Sequence, residues 1–116
     1  MAKNTNVEIW HNPRCSKSRQ TLALLEERGV EPTIVRYLQD PPSKARLQAV
    51  AELLGGAENL VRTKEAAFKE RKLKGATETA LIDAMAKEPK LIERPVVITA
   101  KGACIGRPPE NVLALL

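Results

Sequence analysis

Short apolar runs alternate with stretches in which apolar residues recur every three or four positions, so the chain reads as strands interleaved with helices. Val7, Ile9 and Trp10 favour a first strand, which Asn12-Pro13 ends because that pair cannot continue one. From Ser16, a good N-cap, the pattern turns helical, with Leu22 and Leu25 on the core side and Gly29 as the stop. Thr33 to Leu38 is a β-rich run and forms the second strand. Strand, helix and strand in this order make a βαβ unit, whose two strands are most often parallel.

Asp40-Pro41-Pro42 ends that unit, and Ser43 caps a helix bearing Leu47, Val50, Ala51 and Leu54 up to Gly55-Gly56. Residues 57–88 are helical in composition with short breaks: one piece carries Leu60, Val61 and Arg62, another covers 66–70, and a third runs over about 79–87 with Leu81, Ile82 and Met85. Glu88-Pro89 stops the last piece. Val96 to Thr99 and Ala103 to Gly106 form a hairpin around Ala100-Lys101-Gly102, with Gly102 supplying a positive φ. Pro109 opens a closing helix with Val112, Leu113 and Leu116. The expected fold is α/β, a βαβ–ββα chain with a four-stranded mixed sheet and a helical insertion at about 43–88, in one domain over residues 1–116.

Composition narrows the classes. With one Trp, one Tyr and one Phe, the core must be mainly aliphatic. The net charge of +5 suits an anionic partner. Lys69, Arg71, Lys72 and Lys74 cluster without an aromatic platform, so they read as a solvated helix end and no nucleic acid is expected. Cys15 and Cys104 give no disulfide framework, and with a single histidine no metal cluster is expected. The polar start, Met1 to Asn6, leads into no apolar run long enough for a signal peptide or a membrane span. A cytoplasmic, soluble protein is expected.

The chemistry concentrates at Cys15, where the first strand turns into the first helix. Unpaired N–H groups and the helix dipole favour an anion there, and Arg14, Lys17, Arg19 and His11 add charge nearby. The Cys15 thiol is expected below its free value of about 8.5, and the same donors would bind an oxyanion. The alternative is an inert buried cysteine, which so much polar side chain disfavours. Ser18 excludes a C-x-x-C dithiol and Thr21 a C-x5-R phosphatase loop. A single activated thiol must take its second reducing equivalent from another thiol.

His11-Asn12-Pro13-x-Cys15-x-x-Ser18-Arg19, Pro32-Thr33-Ile34, Tyr37-Leu38, Pro41-Pro42-Ser43, Arg62, Leu81-Ile82, Arg94-Pro95 and Arg107-Pro108 together resemble the glutaredoxin-dependent arsenate reductase family, of thioredoxin-like fold. The resemblance runs from about Val7 to the end of the sequence. It implies that Cys15 attacks arsenate to give an arsenylated cysteine, and that Arg62, Arg94 and Arg107 hold the oxyanion, with Asn12 beside them and bracing the loop. It implies glutathione as co-substrate, glutaredoxin as partner and no bound cofactor or metal; a monomer without membrane attachment is expected.

Within the same resemblance, His11 matches a position associated with lowering the thiol pKa. As a cation it favours the thiolate, and as a neutral ring it only exchanges hydrogen bonds; the alternative is a turn histidine in solvent. Ser18 either donates to the Cys15 sulfur or caps backbone. Pro95 matches the proline that is cis in thioredoxin-like folds; alternatively it simply starts a strand.

Three features depart from the family pattern. The well-known reductases continue beyond the position of Leu116, Arg14 stands where they tend to have a small residue, and Cys104 is either a buried small hydrophobe or a resolving thiol. Other substrates for a thiol reductase therefore stay open. So does a non-enzymatic role like that of a related branch that binds RNA polymerase, although Ser18 lacks that branch's second cysteine.

Overall fold

The computed structural model describes residues 6–116, so most of the polar start, residues 1–5, lies outside the described residues. The chain divides into two units, one of residues 1–40 and 94–116 and the other spanning Pro41–Glu93.

The first unit holds a four-stranded sheet in the order β2-β1-β3-β4, built from β1 (Glu8–Trp10), β2 (Thr33–Val35), β3 (Val96–Thr99) and β4 (Gly102–Ile105). β1 runs parallel to β2 and antiparallel to β3, and β3 and β4 form the hairpin. With α1 (Ser16–Glu27) as the crossover, this is the expected mixed sheet of the thioredoxin-like fold. Ile9, Val97 and Cys104 lie in one row across the ladder. Ile9 and Val97 share a core with Val7, Leu25, Val30 and Val112, and Cys104 packs against it.

Gly29 ends α1 with φ +76, and its N–H bonds Glu26 O at 3.0 Å while Val30 N–H bonds Leu25 O at 3.0 Å. That pair of bonds is a Schellman stop, and it sends Val30 back onto Leu25 in the core.

Three local expectations change in this unit. Cys15 itself, extended at φ −94 and ψ 122, is the N-cap of α1, and Ser16 is the first helical residue. β2 ends at Val35 rather than Leu38, because β1 turns away at the Asn12-Pro13 pair and His11 N–H to Val35 O, at 2.8 Å, is the last rung. Tyr37, just beyond, is fully buried in a turn closed by Arg36 O. The closing helix, Pro109–Leu115, is a 3-10 helix, its first turn tightened by Asn111 N–H to Pro108 O at 3.0 Å.

The second unit is helical: α2 (Lys44–Leu53), α3 (Ala66–Glu70) and α4 (Glu78–Lys87). Ser43 caps α2 by accepting from Arg46 N–H at 3.1 Å, and Thr77 caps α4 from Ala80 N–H at 3.2 Å. Glu78 receives Ala57 N–H on both carboxylate oxygens at 2.9 Å, which ties the start of α4 to the 3-10 turn Ala57–Asn59. The piece around Leu60, Val61 and Arg62 is helical only as far as the 3-10 turn that Leu60 closes. Beyond it Val61 bridges Ile92, Arg62 N–H bonds Leu91 O at 2.6 Å and Glu93 N–H bonds Leu60 O at 2.8 Å, with Leu60, Val61, Leu91 and Ile92 all buried. Within the basic cluster, Arg71 bonds Glu88 through Nε at 2.6 Å.

Candidate active site

The loop between β1 and α1 is fixed almost entirely by its own polar groups. Asn12 accepts twice, from Arg14 N–H on Oδ1 at 3.0 Å and from Cys15 N–H on its carbonyl at 3.0 Å. Such an Asx turn folds the chain back on itself and delivers Cys15 to the helix start. Arg19, one turn into α1, donates Nη1 to Pro13 O at 2.9 Å and so clamps the loop from the helix side. Asn12 thus braces the loop through its side-chain carbonyl.

Arg94 and Arg107 flank the β3–β4 hairpin, and each precedes a cis proline, Pro95 and Pro108. Gly106 N–H bonds Pro95 O at 2.9 Å, and Arg107 Nε bonds Arg94 O at 2.8 Å, so the two arms close on each other. Asn111 Nδ2 holds Arg107 O at 3.0 Å. The free end of the Arg107 guanidinium, Nη2, stands 3.5 Å from Cys15 Sγ. Arg94 also lowers the Cys15 pKa, as a side-chain donor and as a charge, and its Nε is buried with no partner among the described residues. A buried guanidinium N–H that no protein group accepts is a donor suited to an anion.

Partial burial raises the Cys15 pKa, but this is outweighed by the Ser18 backbone N–H, by the Arg94 hydrogen bond and by the charges of Arg94 and Arg107, so the thiol sits below its ordinary value. Ser18 N–H is the third amide of α1 and faces the sulfur as in an N-cap, although it falls short of a full capping bond. The Cys15 sulfur therefore sits at a helix start with two guanidinium groups lowering its pKa.

His11 is buried, not a turn histidine in solvent. Burial lowers its pKa, and the charges of Arg36 and Arg19 lower it further, so the ring is neutral near pH 7. Its Nδ1 lies 2.6 Å from Ser18 Oγ, which also accepts from Asn12 N–H at 3.0 Å. The Ser18 hydroxyl is thus occupied by His11 and Asn12, and it is the Ser18 backbone that serves the sulfur. His11, through Ser18, ties the loop to α1 as a neutral ring.

Cys15, Ser18, His11, Asn12, Arg94, Pro95 and Arg107 all belong to the first unit. Arg62 belongs to the second, half-buried, with Nε 4.0 Å from Glu65 Oε2 and Nη1 buried without a partner among the described residues. Arg14 is exposed. Cys104 packs against the core and burial raises its pKa, as for a small hydrophobe. Among the described residues no three His, Cys, Asp or Glu side chains gather as metal ligands, and no helix is long and apolar enough to cross a membrane.

Two residues were not singled out from the sequence for the site. Thr21 is fully buried and donates to Lys17 O at 2.8 Å, and Gly106 lies against it. The only signal was a glycine immediately before Arg107-Pro108.

Comparison with known proteins places these features in a group. The ArsC family model matches residues 10–115. An uncharacterized protein of Escherichia coli K12, YfgD, is 51% identical over 95% of this chain and 96% of its own length. An arsenate reductase of Haemophilus influenzae is 45% identical over 96% of this chain and 99% of its own. The solved structure of an arsenate reductase from Vibrio cholerae superposes with a TM-score of 0.93 at 45% identity, covering 98% of this chain and all of that one.

Proposed function

This chain belongs to the ArsC family, and we propose that it is an oxidoreductase that reduces arsenate to arsenite with Cys15 as the nucleophile. The observation that carries this reading is the Arg107 Nη2 to Cys15 Sγ approach of 3.5 Å, with the Arg94 charge also lowering the pKa of that thiol. Two guanidinium groups that stabilise a thiolate are also placed to take the oxygens of a tetrahedral anion in pairs. They neutralise the charge that would otherwise repel the attacking sulfur.

In the proposed reaction the Cys15 thiolate attacks arsenic, and one arsenate oxygen leaves as water after protonation. Glutathione then attacks the Cys15 sulfur, and arsenite departs with the electron pair of the S–As bond. A Cys15–glutathione disulfide remains, and glutaredoxin reduces it to restore the thiol. The two electrons that convert arsenic(V) to arsenic(III) thus come from two thiols, and no bound cofactor or metal takes part. Arg94 and Arg107 are assigned to the oxyanion, with Asn12 holding the loop in shape. Ser18 and neutral His11 position Cys15. Pro95 brings Arg94 to the end of its strand. The work of the site is placement and electrostatics. A monomer in a glutathione-rich compartment, the cytoplasm, fits the two free thiols.

The test is arsenite formation from arsenate with glutathione and glutaredoxin, native protein against Cys15→Ser. Turnover in the native protein alone supports the reading. Equal turnover in Cys15→Ser removes Cys15 as nucleophile, and none in a native protein with a reactive Cys15 points to another substrate.

A further inference from the structure

We propose that Gly106 is a positioning residue whose missing side chain sets the height at which Arg107 stands over Cys15. Three segments cross at this point: α1 through Thr21, the residue before β3 through Pro95, and the residue after β4 through Gly106 itself. A Cβ built on Gly106 would lie 2.6 Å from Thr21 Oγ1, 2.8 Å from Pro95 Cγ and 3.2 Å from Thr21 Cγ2. Neither neighbour yields easily. The Thr21 hydroxyl is held by its bond to Lys17 O at 2.8 Å, and the Pro95 ring is rigid and buried.

A side chain at 106 must therefore move backbone, and the end of β4 is what can move. Gly106 N–H to Pro95 O, at 2.9 Å, would stretch first. Arg107 is the next residue, and both its anchor on Arg94 O and its 3.5 Å approach to Cys15 Sγ depend on where β4 ends. A strand end lifted by a few tenths of an ångström separates the guanidinium from the sulfur without removing any charge from the protein. Glycine is required here by close approach.

The anion arm of the test rests on the arsenate reading above, whereas the thiol arm does not. Alkylation of Cys15 by iodoacetamide against pH reports the thiolate, and equilibrium binding of arsenate reports the anion site. Gly106→Ala is expected to move half-maximal alkylation to higher pH, towards the position of Arg107→Ala, and to weaken arsenate binding about tenfold, as expected when a charge-assisted hydrogen bond is misplaced. Adding Thr21→Ala, which opens one of the two walls, is expected to recover part of both.

Gly106→Ala with a lowered melting temperature but an unchanged alkylation profile would make Gly106 a packing residue only. A Gly106→Ala protein that fails to fold and is not rescued by Thr21→Ala would overturn the proposal equally. Arsenate that does not bind the native protein would count against the reading of the anion site, and Gly106 would then be decided by the alkylation profile alone.

Discussion

Arg107 and Cys15, far apart in the chain, meet with Nη2 3.5 Å from Sγ, while the same guanidinium is tethered through Nε to Arg94 O at 2.8 Å. The tether matters as much as the approach. An arginine free to swing would lose rotamer freedom on meeting an anion, whereas one already pinned at Nε offers its remaining nitrogens in a fixed fork. The hairpin thus supplies an oriented charge to a sulfur that the helix start has already prepared.

Arg107→Ala is expected to raise the Cys15 pKa, because it removes one of the influences that lower it. Thiolate-dependent alkylation would then need a higher pH, and at neutral pH the variant would react more slowly than the native protein. Arg107→Lys should restore part of the thiolate effect but less of the anion affinity, since an ammonium cannot make paired contacts. A pH profile of alkylation for the three proteins decides this, and identical profiles would remove Arg107 from the sulfur's electrostatics.

His11 and Ser18 make the second prediction. Ser18→Ala leaves both the buried His11 Nδ1 and the Asn12 N–H without their shared oxygen, at a cost of about 1–3 kcal/mol in unfolding free energy. The His11 pKa is lowered by folding, so its contribution to stability is full above the unfolded value of about 6.5 and is lost as pH falls through the folded value. Imidazole proton shifts followed against pH should therefore show a transition below 6.5. One at or above it would mean that His11 is a cation near neutrality and acts on Cys15 by charge.

Gly29 separates conformational from steric demands on glycine. Its φ is +76, yet a Cβ there would meet nothing within 4 Å. Gly29→Ala should cost about 1 kcal/mol of stability from the left-handed backbone alone. Cys15 reactivity should be unchanged, in contrast to Gly106→Ala. A denaturant melt with an alkylation rate beside it tests both halves.

The order of strands and helices was legible because it rests on local signals: Asn12-Pro13 ending a strand, Gly29 stopping a helix, Ser43 capping the next. The failures lie where tertiary pairing overrode them. β2 stops three residues early because its neighbour turns away, which nothing within Thr33 to Leu38 reveals. Val61 and Arg62 look helical in composition, but past Leu60 the chain leaves the helical turn to bridge Val61 to Ile92, a partner about thirty residues away. At the site, the cysteine at a helix start could be read directly, whereas the anchoring of Arg107 on Arg94 O could not, since it depends on how the hairpin closes. Ser18 shows the same limit: its spacing from Cys15 left its hydroxyl on the sulfur or on backbone, and the fold gives it to His11 and to the Asn12 backbone N–H.

Cys104 gives the last prediction. It sits in β4 opposite Val97, packed against the cluster of Val7, Ile9, Leu25 and Val112, and burial raises its pKa. A resolving thiol needs the opposite environment, with access and thiolate character. Cys104→Ala should therefore leave arsenite formation with glutathione and glutaredoxin intact and cost about 1 kcal/mol of stability from lost packing. Cys104→Ser is expected to cost more, because its hydroxyl enters an apolar environment. Iodoacetamide at neutral pH should label Cys15 well before Cys104, as peptide mapping would show. Loss of turnover in Cys104→Ala with an unchanged melting temperature would instead place the second reducing equivalent within this chain.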